Sequence, residues 1–584
     1  MGSKEELANC FHNLGCKMTD DAISKCLELC ANYEMDMEVL VEMWVGFSVP
    51  RQIDFDPTVE TLAQMENSEL KGKRKVLLDL NESVPFATGS NIHEFSTSTT
   101  DVLDMYSDGQ TTSKAKRARS PTADMENDVK LRAVDTTFVP STFTPAPSTP
   151  SRGPSLSARG KVLFRFGPVS SLNVKNDVEI QVVKSDIPHV PKEIVYMYEM
   201  LAKQAAVLHR HCKQFGKQIC AAWDDIESTN AAYNKNVRAR SQVGFRTWGR
   251  IRTTIDASTG VKLVQLEGVY IKRSIKRTPW ITLDFSHLQH YSVFSGQIVV
   301  VEGINTTGNV LIVKKLFSKM YPPSPPIPKL SVNLRIYVAA GPFTASDNLN
   351  YQPLWDLMEQ VGKDEPDVLI LIGPILEYTH TDIRSCSIKD TFQELFEKIL
   401  LRIAQTVNGK STKVVLVPSN RDVHHEPVYP TPEFLVSLNK VDSKNLIMMP
   451  DPCVLNLEGL QIAVTSVDSV KHLGHAEVSN TSGMDRLGRL ADHILSQGSF
   501  YPLYPASSSL NVDTTLCKKY AGFVEQPHIL ILPSDVRYYC KVLNQCLTIN
   551  PERMHKYTYC KLFVPKCNGE KWDPNGISCE VTRV

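Results

Sequence analysis

The sequence predicts a multidomain α+β protein, and three features of the chain lead to that prediction. Residues 1–70 carry apolar side chains at helical spacing, residues 71–158 are rich in Ser, Thr and Pro, and the remainder alternates short apolar runs with turn residues. At 584 residues the chain exceeds the ~250–300 residues that one hydrophobic core normally serves. We therefore expect a small helical bundle, a disordered linker, a β-rich domain and an α/β sandwich.

The charge balance and the cysteine pattern exclude several classes of protein. Lys plus Arg and Asp plus Glu each total 64, whereas nonspecific capture of nucleic acid or membrane surfaces needs a basic excess. The 14 cysteines include no Cys-x-x-Cys pair, which predicts reduced thiols in an intracellular protein and neither a zinc site nor another cofactor. No apolar run reaches the ~20 residues that span a bilayer, so no membrane partner is expected.

Residues 1–70 are predicted to form four short helices. Asp56-Pro57 fits an N-cap followed by proline at the first helical position, which would start the fourth helix. Because no polar constellation recurs in this domain, we expect it to dock other proteins rather than catalyse a reaction. The earlier three helices are indicated by three apolar faces, namely Leu7, Phe11 and Leu14, then Ile23, Leu27 and Cys30, then Val39, Leu40, Met43 and Trp44.

Residues 71–158 are expected to be a disordered linker, because they hold too few apolar side chains to offset the entropy of ordering. The linker contains a basic cluster with two open interpretations, a nuclear import signal or solvated charge. That cluster consists of Lys114, Lys116, Arg117 and Arg119. The candidate sites for proline-directed phosphorylation are Ser120, Thr144 and Thr149. Thr149 also has Arg152 three positions later, a basic residue that cyclin-dependent kinases favour.

Residues 159–325 are predicted to form a helix, over about 192–217 after Pro191, and then a small β-barrel or sandwich of short strands. Aromatic and basic side chains occur together in the β-rich part, a combination that binds single-stranded nucleic acid in some barrels. We favour instead a core position for the aromatic residues and a solvated loop for the basic run. The residues concerned are Phe245, Trp248 and Trp280, with Lys272, Arg273, Lys276 and Arg277.

Residues 326–584 are predicted to form an α/β sandwich in which five apolar strands end in candidate site loops. In α/β sheets the chemistry lies in the loops beyond the strand ends. Here Gly-Pro stands twice where a metal-binding Asp is expected, which indicates a former enzyme that has become a scaffold. The five loops are Gly341-Pro342-Phe343, Gly373-Pro374, Pro418-Ser419-Asn420-Arg421-Asp422, Val467-Asp468 and Pro533-Ser534-Asp535.

Five segments of the chain resemble the B subunits of DNA polymerase α. They are EGINTTG at 302–308, AAGPFTASDNL at 339–349, DVLILIGPILEYTH at 367–380, PSNRDVHHEPVYP at 418–430 and TINPERM at 548–554. The similarity extends over about 160–584, and DVHHEPVYP is its most specific part. It implies that the β-rich domain is an OB-fold barrel. It also implies that residues 326–584 form an inactivated calcineurin-like phosphoesterase sandwich.

The resemblance further implies how the phosphoesterase site was lost. Active members of that superfamily hold two metals ~3.5–4 Å apart with Asp, His and Asn ligands. In this chain the first motif lacks both of its ligands, and the second lacks its bridging Asp. The third motif has a cation in place of His, and the last motif has no His. The degenerate positions are Gly341, Phe343, Pro374, Glu377, Asn420, Arg421, Asp422 and Ser534. We therefore expect no metal, no catalytic residue and no enzymatic activity.

A replacement metal centre is the alternative for the same region. Its candidate ligands are Asp422, His424, His425, Glu426, His472 and His475. Adjacent residues of an extended loop point in opposite directions, so His424 and His425 are poorly placed to grip one ion. We favour a hydrogen-bonded loop without metal.

The resemblance implies a non-catalytic subunit that tethers the polymerase α catalytic subunit and primase for primer synthesis when DNA replication starts in the nucleus. The implied partners are the zinc-bearing C-terminal module of the catalytic subunit, the primase subunits, and other replication factors bound by residues 1–70. DNA is expected to be contacted weakly or indirectly. Two alternatives from other classes stay open, a divergent metal-dependent phosphoesterase acting on nucleic acid and an OB-type single-strand binder.

Overall fold

The structure is a computed structural model in which the chain forms two compact units, Met1–Ser96 and Thr97–Val584. The linker sites and the basic run at 272–277 lie outside the described residues, and their roles stay predictions. None of the described helices is both long and apolar enough to cross a membrane. The described residues are 11, 19–32, 40–41, 44, 47, 56–66, 159–169, 180–185, 187–227, 232–255, 262–268, 279–436, 444–481 and 485–584.

Two helices of the first unit are described, α1 (Asp20–Asn32) and α2 (Val59–Met65). They pack against each other through a shared apolar cluster that includes Trp44. The prediction that Asp56-Pro57 starts the second of these helices was wrong. Thr58 is the N-cap, because its hydroxyl accepts the Thr61 N–H and the Thr61 hydroxyl closes the reciprocal bond. The remaining predicted helices are incompletely described, so the four-helix bundle stays a prediction.

The second unit contains seven described α-helices and 22 described strands. The helices are α3 (Leu201–Ile226), α4 (Gln352–Asp364), α5 (Thr381–Arg384), α6 (Phe392–Val407), α7 (Ser469–Ala476), α8 (Arg486–Ser496) and α9 (Thr514–Tyr520). The first eleven strands are β1 (Val162–Phe166), β2 (Val182–Lys184), β3 (Ser241–Ile255), β4 (Lys262–Gly268), β5 (Trp280–Asp284), β6 (Tyr291–Val293), β7 (Ile298–Asn305), β8 (Val310–Phe317), β9 (Lys329–Leu330), β10 (Leu334–Ala340) and β11 (Val368–Ile372). The others are β12 (Lys413–Val417), β13 (Leu446–Met448), β14 (Cys453–Leu457), β15 (Leu460–Val464), β16 (Val478–Asn480), β17 (Ile529–Ile531), β18 (Tyr539–Leu543), β19 (Cys546–Asn550), β20 (Thr558–Val564), β21 (Cys567–Asn568) and β22 (Ser578–Arg583).

Two mixed sheets form the α/β part of this unit. The first has the order β1-β22-β20-β10-β11-β12-β13, and the second has the order β18-β19-β17-β15-β14-β2. In the first sheet β10, β11, β12 and β13 are parallel, and in the second β15, β17 and β19 are parallel. Parallel neighbours end at the same edge of a sheet, so the loops after these strands are brought together.

The two sheets face each other and enclose the central apolar core. Strands β11 and β12 are buried along their whole length, which explains why their sequences are continuous apolar runs. Helices α4 and α6 cover the outer face of the first sheet, and α7 and α8 cover the outer face of the second. The result is an α/β/β/α sandwich.

A separate barrel is formed by β3, β4, β5, β8 and β7, which pair in that cyclic order. The C-terminal half of α3 packs on it. Gly216 permits this close approach, since an added Cβ there would lie 2.2 Å from Trp248 Cδ1. Arg246 is fully buried between Asp224 of α3 and Glu302 of β7, at 2.8 and 2.9 Å.

The barrel is joined to the sandwich through β6, which pairs with β16, and through α8. Gln497, just after α8, accepts the Ile298 N–H at 2.9 Å and donates to the Ile298 carbonyl at 3.2 Å. Ser292 donates to Glu477 at 2.6 Å and contacts His493 at 2.8 Å. These contacts fix the barrel on the sandwich.

Two sequence predictions in the region before the barrel were wrong. The helix begins at Leu201 and continues to Ile226, rather than spanning 192–217, because Met197 has a φ of 55° that stops a helix there. Strands β1 and β2 fall inside the range expected for the barrel domain, yet β1 pairs with β22 and β2 pairs with β14. Residues 159–185 therefore contribute to the sandwich sheets.

Candidate functional site at the strand ends

The candidate site lies where the parallel strands of both sheets end. The loops after β10, β11 and β12 come from the first sheet, and the loops after β15, β17 and β19 come from the second. Gly341 N–H donates to the Ile372 carbonyl at 2.7 Å and Gly373 N–H donates to the Val417 carbonyl at 2.8 Å. These bonds hold the first three loops against one another.

Gly341 and Gly373 leave no space for a side chain. A Cβ on Gly341 would lie 2.0 Å from the Pro374 carbonyl oxygen, and a Cβ on Gly373 would lie 2.9 Å from the Ser419 backbone nitrogen. These two atoms belong to the main chain and cannot move aside as a flexible side chain would. A Cβ on Gly373 would also lie 2.7 Å from Asp422 Oδ2. An Asp ligand at Gly341 would therefore require the loops to separate, and so would any side chain at Gly373.

Asp422 takes a structural position in this site. Its carboxylate is buried and accepts N–H groups from Ile375 at 2.6 Å, Leu376 at 2.8 Å and Ser419 at 2.9 Å. Burial raises the pKa of Asp422 to about 7, although the three N–H donors act in the opposite direction. The side chain thus ties the loop after β12 to the loop after β11.

Arg421 and Glu377 form an ion pair beside Asp422. Glu377 is buried, Arg421 is half-buried, and the Thr379 hydroxyl also donates to Glu377 Oε1 at 3.0 Å. The sequence-predicted replacement of His by Arg421 therefore places a cation next to the Glu377 carboxylate. The Arg421 guanidinium therefore neutralises the Glu377 carboxylate within the site.

Asp468 and Ser534 join the loops of the second sheet. Ser534 is fully buried and donates from its hydroxyl to Asp468 Oδ1 at 2.5 Å. The Asp535 N–H donates to Asp468 Oδ2 at 2.8 Å, and the Lys471 N–H donates to Asp468 Oδ1 at 3.0 Å. Asp468 therefore caps α7 and fixes the loop after β17 with the same carboxylate.

Arg553 connects the two sheets across the site. The side chain is 1% exposed and lies in the segment after β19. It donates to Asp535 at 3.2 Å, to the Gly341 carbonyl at 3.2 Å and to the Pro533 carbonyl at 3.3 Å. Gly341 follows a strand of the first sheet, whereas Pro533 and Asp535 follow a strand of the second. One guanidinium therefore holds both groups of loops.

Asp535 is the acidic counterpart of this cation. Burial alone would raise its pKa, but Arg553 and then Lys471 hold the pKa of Asp535 well below its usual range. Lys471 Nζ lies 3.0 Å from Asp535 Oδ2. The acid is therefore ionised and paired throughout the ordinary pH range.

The arrangement can fix loops, and its charged groups neutralise one another. Glu377 and Asp535 have Arg421, Arg553 and Lys471 as partners, and Asp422 and Asp468 accept backbone or hydroxyl donors. In the described part of the chain, no group of three or more His, Cys, Asp or Glu side chains has a geometry suited to a metal ion. Phe343, at the position of an expected ligand, lies in the core beneath the loops, and Asn420 is buried.

The histidines considered for a replacement metal centre point to separate surroundings. The His424 ring packs on Phe396 and Phe434, with centroids 4.1 and 5.4 Å apart, and burial lowers the pKa of His424 to about 3. His425 Nε2 lies 2.7 Å from the Pro432 carbonyl. His472 contacts the Tyr501 and Ser509 hydroxyls at 3.1 and 3.2 Å. Glu426 is exposed, and His475 lies on the helix α7.

The sequence analysis assigned no role to Arg553 or Lys471. It named Asp468 in one of the loops but did not predict that the Asp468 carboxylate would hold two loops together. Arg553 lies in the TINPERM segment, three residues after Asn550, the last residue of the buried strand β19. A cation immediately after a buried strand, next to loops that carry Asp and Glu, is the signal that could have identified it.

The barrel aromatics follow the core interpretation in two of three cases. Phe245 and Trp248 are buried, Phe245 inside the barrel and Trp248 beneath α3. Trp280 is 45% exposed at the start of β5, so its assignment to the core was wrong. The first position of a strand receives less cover from neighbouring strands than the middle of the strand.

Three family models match successive parts of the chain. The model for the B subunit of DNA polymerase alpha/epsilon matches residues 336–541, which include most of the strand-end site. The model for the N-terminal part of the DNA polymerase alpha B subunit matches 5–71, and the model for the OB domain of that subunit matches 205–319. The third match identifies the barrel as an OB domain, as the sequence resemblance implied.

Comparison with individual relatives agrees with these matches along the whole chain. The DNA polymerase alpha B subunit of Rattus norvegicus is 29% identical over 581 residues, covering 95% of this chain and 94% of the relative. That of Drosophila melanogaster is 29% identical over 632 aligned positions, covering 100% of both. That of Caenorhabditis elegans is 32% identical over 283 residues, covering 47% of this chain and 48% of the relative. The chain belongs to the family of DNA polymerase alpha B subunits.

Proposed function

We propose that this chain is a non-catalytic accessory subunit of DNA polymerase α–primase. It tethers the catalytic subunit and primase during primer synthesis at the initiation of DNA replication. The observation that carries the proposal is the strand-end site, where Arg553, Arg421 and Lys471 are paired with the acidic groups. A calcineurin-like phosphoesterase would need divalent cations at the same strand ends.

The loss of activity follows from local packing as well as from residue identity. Gly341 has main-chain atoms within 3 Å of where a Cβ would be, so a ligand cannot be regained at that position by substitution alone. Arg553 is buried and bound to both sheets, so a metal ion would have to displace a fixed cation. Because like charges repel, a second cation is disfavoured at that position.

A phosphodiesterase assay tests the inactivity directly. The purified full chain should not hydrolyse bis(p-nitrophenyl) phosphate or a single-stranded oligonucleotide, with or without excess manganese. Elemental analysis of the same sample should find no stoichiometric transition metal. Turnover that scales with protein and disappears in an Asn420→Ala variant would instead support the divergent phosphoesterase.

The positive part of the proposal concerns binding. We infer that the barrel and sandwich bind the zinc-bearing C-terminal module of the catalytic subunit, and that primase is held in the same complex. Permanent interfaces of this class bury more than ~2,000 Å² and are rich in apolar and aromatic groups. Co-expression of this chain with that module, followed by size-exclusion chromatography, should give one peak at equal stoichiometry. Separate elution at micromolar concentration would contradict the tethering role.

The remaining assignments are extensions of this proposal. We infer a nuclear location, a docking role for residues 1–70 toward other replication factors, and at most weak contact of the barrel with DNA. Phosphopeptide mapping of the protein from dividing cells should find Thr149 modified, because the Thr-Pro-x-Arg pattern favours cyclin-dependent kinases. Good coverage of the neighbouring peptides without phosphate on Thr149 would contradict this assignment.

A further inference from the structure

A groove runs along the N-terminal half of α3. It consists of two cavities of about 660 and 360 Å³ that share Leu208 and Tyr504 in their walls. The larger cavity is bordered by α3, β3 and β4, and the smaller one by α9 and the segment at 501–512. We name this feature the α3 groove. Its walls include none of the strand-end site residues.

An exposed apolar segment borders the α3 groove. Five large side chains in this segment have exposed fractions between 50% and 83%. They are Val195, Met197, Tyr198, Met200 and Leu201. Contiguous apolar surface of this kind on a soluble protein marks an interaction site more often than chance exposure does.

The backbone that presents these side chains is anchored to the sandwich. The Tyr196 hydroxyl donates to the Pro430 carbonyl at 2.7 Å, and the Met197 N–H donates to Asp513 Oδ2 at 2.9 Å. Lys192, a few residues earlier, pairs with Glu433 at 2.6 Å. The apolar surface is therefore held in place before any partner arrives, which lowers the entropy lost on binding.

The walls of the α3 groove carry more cations than acids. Four cationic side chains line it, and one carboxylate, Glu267, which has an interaction partner of its own. The cations are Arg210, Lys213, Arg250 and Lys518. In the part of the chain that the structure describes, neither Arg250 nor Lys518 forms an ion pair with an acid. Arg250 donates to the Leu208 carbonyl at 2.7 Å and lies 5.2 Å from the centre of the Tyr504 ring.

The local electrostatics agree with an excess of positive charge at this position. Burial, with Lys518 and Arg250 adding to it, lowers the pKa of His211 to about 3. The first turn of α3 has no acidic residue, and its N-cap, Met200, makes no side-chain hydrogen bond. The free N–H groups at the start of α3 therefore add partial positive charge beside the groove.

We propose that the α3 groove binds an apolar segment of the polymerase α catalytic subunit that carries a carboxylate side chain. The apolar side chains of the partner would pack on Met200 and Leu201 and enter the cavities, and its carboxylate would meet Lys518 and Arg250. Charge complementarity selects this occupant, since a basic segment would meet like charge at these side chains. This inference rests on the proposed tethering function.

The test compares binding of the co-expressed C-terminal module of the catalytic subunit to the full-length chain and its variants. Met200→Glu combined with Leu201→Glu should weaken binding about tenfold or more, because it places charge on the exposed apolar border. The matched control is Val524→Glu, since Val524 is also exposed, at 60%, and lies outside the groove walls. That control should bind within about twofold of the wild type.

A second pair of variants tests the carboxylate. Lys518→Gln should weaken binding about three- to tenfold, and Lys518→Arg should retain most of it, because only the charge is needed. Lys519→Gln is the control, since Lys519 is exposed on the neighbouring position of α9 and does not line the groove. Circular dichroism and thermal melts should show that every variant folds.

The outcomes separate the two proposals. If the wild type binds and all groove variants bind equally well, the α3 groove is not the interface and tethering stands. If the wild type does not bind the module, tethering is contradicted, and the occupant proposed for the groove is contradicted with it. If the wild type alone self-associates and the Met200→Glu, Leu201→Glu variant does not, the occupant is a second copy of this chain and the proposal is overturned.

Discussion

The strand-end site and the α3 groove differ in whether their charged side chains have partners within the described part of the chain. At the strand ends, Arg553 is 1% exposed and its guanidinium is shared between Asp535 and two backbone carbonyls. At the groove, Lys518 and Arg250 have no acidic partner among the described residues, and Leu201 at the start of α3 is 82% exposed. The charged groups of the strand-end site are satisfied within the chain, whereas the cations of the α3 groove are available to a binding partner.

This difference indicates where function lies in the molecule. At the strand ends, the charged groups that the structure describes are paired with one another or with backbone and hydroxyl donors. Exposed apolar side chains and unmatched cations are costly to keep unless something covers them. The contrast agrees with the accessory role proposed above, in which the chain acts through its binding surfaces.

The largest expected effect concerns Arg553 at the strand ends. Arg553→Met should lower the free energy of unfolding by about 2–4 kcal/mol, because it removes the three hydrogen bonds that join the loops of the two sheets and leaves the Gly341 and Pro533 carbonyls without this donor, while Asp535 keeps Lys471. Lys363→Met is the control, since the Lys363–Glu359 pair is on the surface and should contribute at most about 1 kcal/mol. Urea unfolding monitored by fluorescence measures both. Equal effects in the two variants would mean that the strand-end ion pairs are not structural.

The second prediction concerns the pH dependence that Asp422 imposes. Its pKa is about 7 in the folded chain and near the ordinary value of 3.8 in the unfolded chain. Between these values the unfolded chain is ionised at this position and the folded chain is protonated. Stability contributed by Asp422 is therefore lost as pH rises from about 4 to 7, by up to about 1.4 kcal/mol per unit.

Asp422→Asn removes this titration and isolates the effect. As pH rises from 5 to 7, the unfolding free energy of the wild type should fall relative to that of Asp422→Asn. Other groups, such as Asp451, whose pKa burial raises to about 6, cancel in this difference. Urea titrations at three pH values measure it. Parallel pH profiles for the two proteins would show that the three N–H donors, and not burial, dominate at Asp422.

The architecture of the sandwich was largely predictable from local sequence, but its long-range pairings were not. The five apolar strands expected before the site loops are present in the structure as β10, β11, β12, β15 and β17. A fully buried strand is an uninterrupted apolar run, so its position is visible in the sequence. The pairing of β1 with β22 joins residues more than 400 positions apart and leaves no local signal.

The sequence predicted which metal ligands are missing from the candidate site, but it did not predict which side chains now hold the loops together. Gly341 and Pro374 predict missing ligands, because neither residue has a side chain that can bind a metal. Arg553 could not be assigned a role, because its contacts depend on how the two sheets face each other. The same limit explains the helix error, since Met197 and Tyr198 continue an apolar run in sequence but lie on an exposed, non-helical segment in which Met197 has a positive φ.

The third prediction separates the two halves of α3. Gly216 in its C-terminal half touches Trp248, and an added Cβ would lie 2.2 Å from that ring. Gly216→Ala should therefore destabilise the chain by about 1–3 kcal/mol through overpacking, despite the better helix propensity of alanine. Gly362→Ala in α4 is the control, because the nearest atom to its Cβ is the flexible end of Lys410 at 3.4 Å. That control should stabilise by about 0.5–1 kcal/mol. Thermal unfolding that gives both variants the same sign would show that α3 is not pressed onto the barrel.

The smallest expected effect is at the N-terminal half of the same helix. Leu201 is 82% exposed, so Leu201→Glu should leave the stability of the isolated chain unchanged within about 0.5 kcal/mol. A glutamate in the first turn of α3 can even stabilise slightly, because it complements the positive end of the helix dipole. Thermal melts of the free chain at several concentrations measure this effect. A loss of 1 kcal/mol or more would mean that Leu201 is covered in solution, and dependence of that loss on concentration would identify the cover as a second copy. An unchanged melting temperature would mean that Leu201 is exposed in the free chain. Weaker binding of the catalytic module by the same variant would then report on the interface and not on folding.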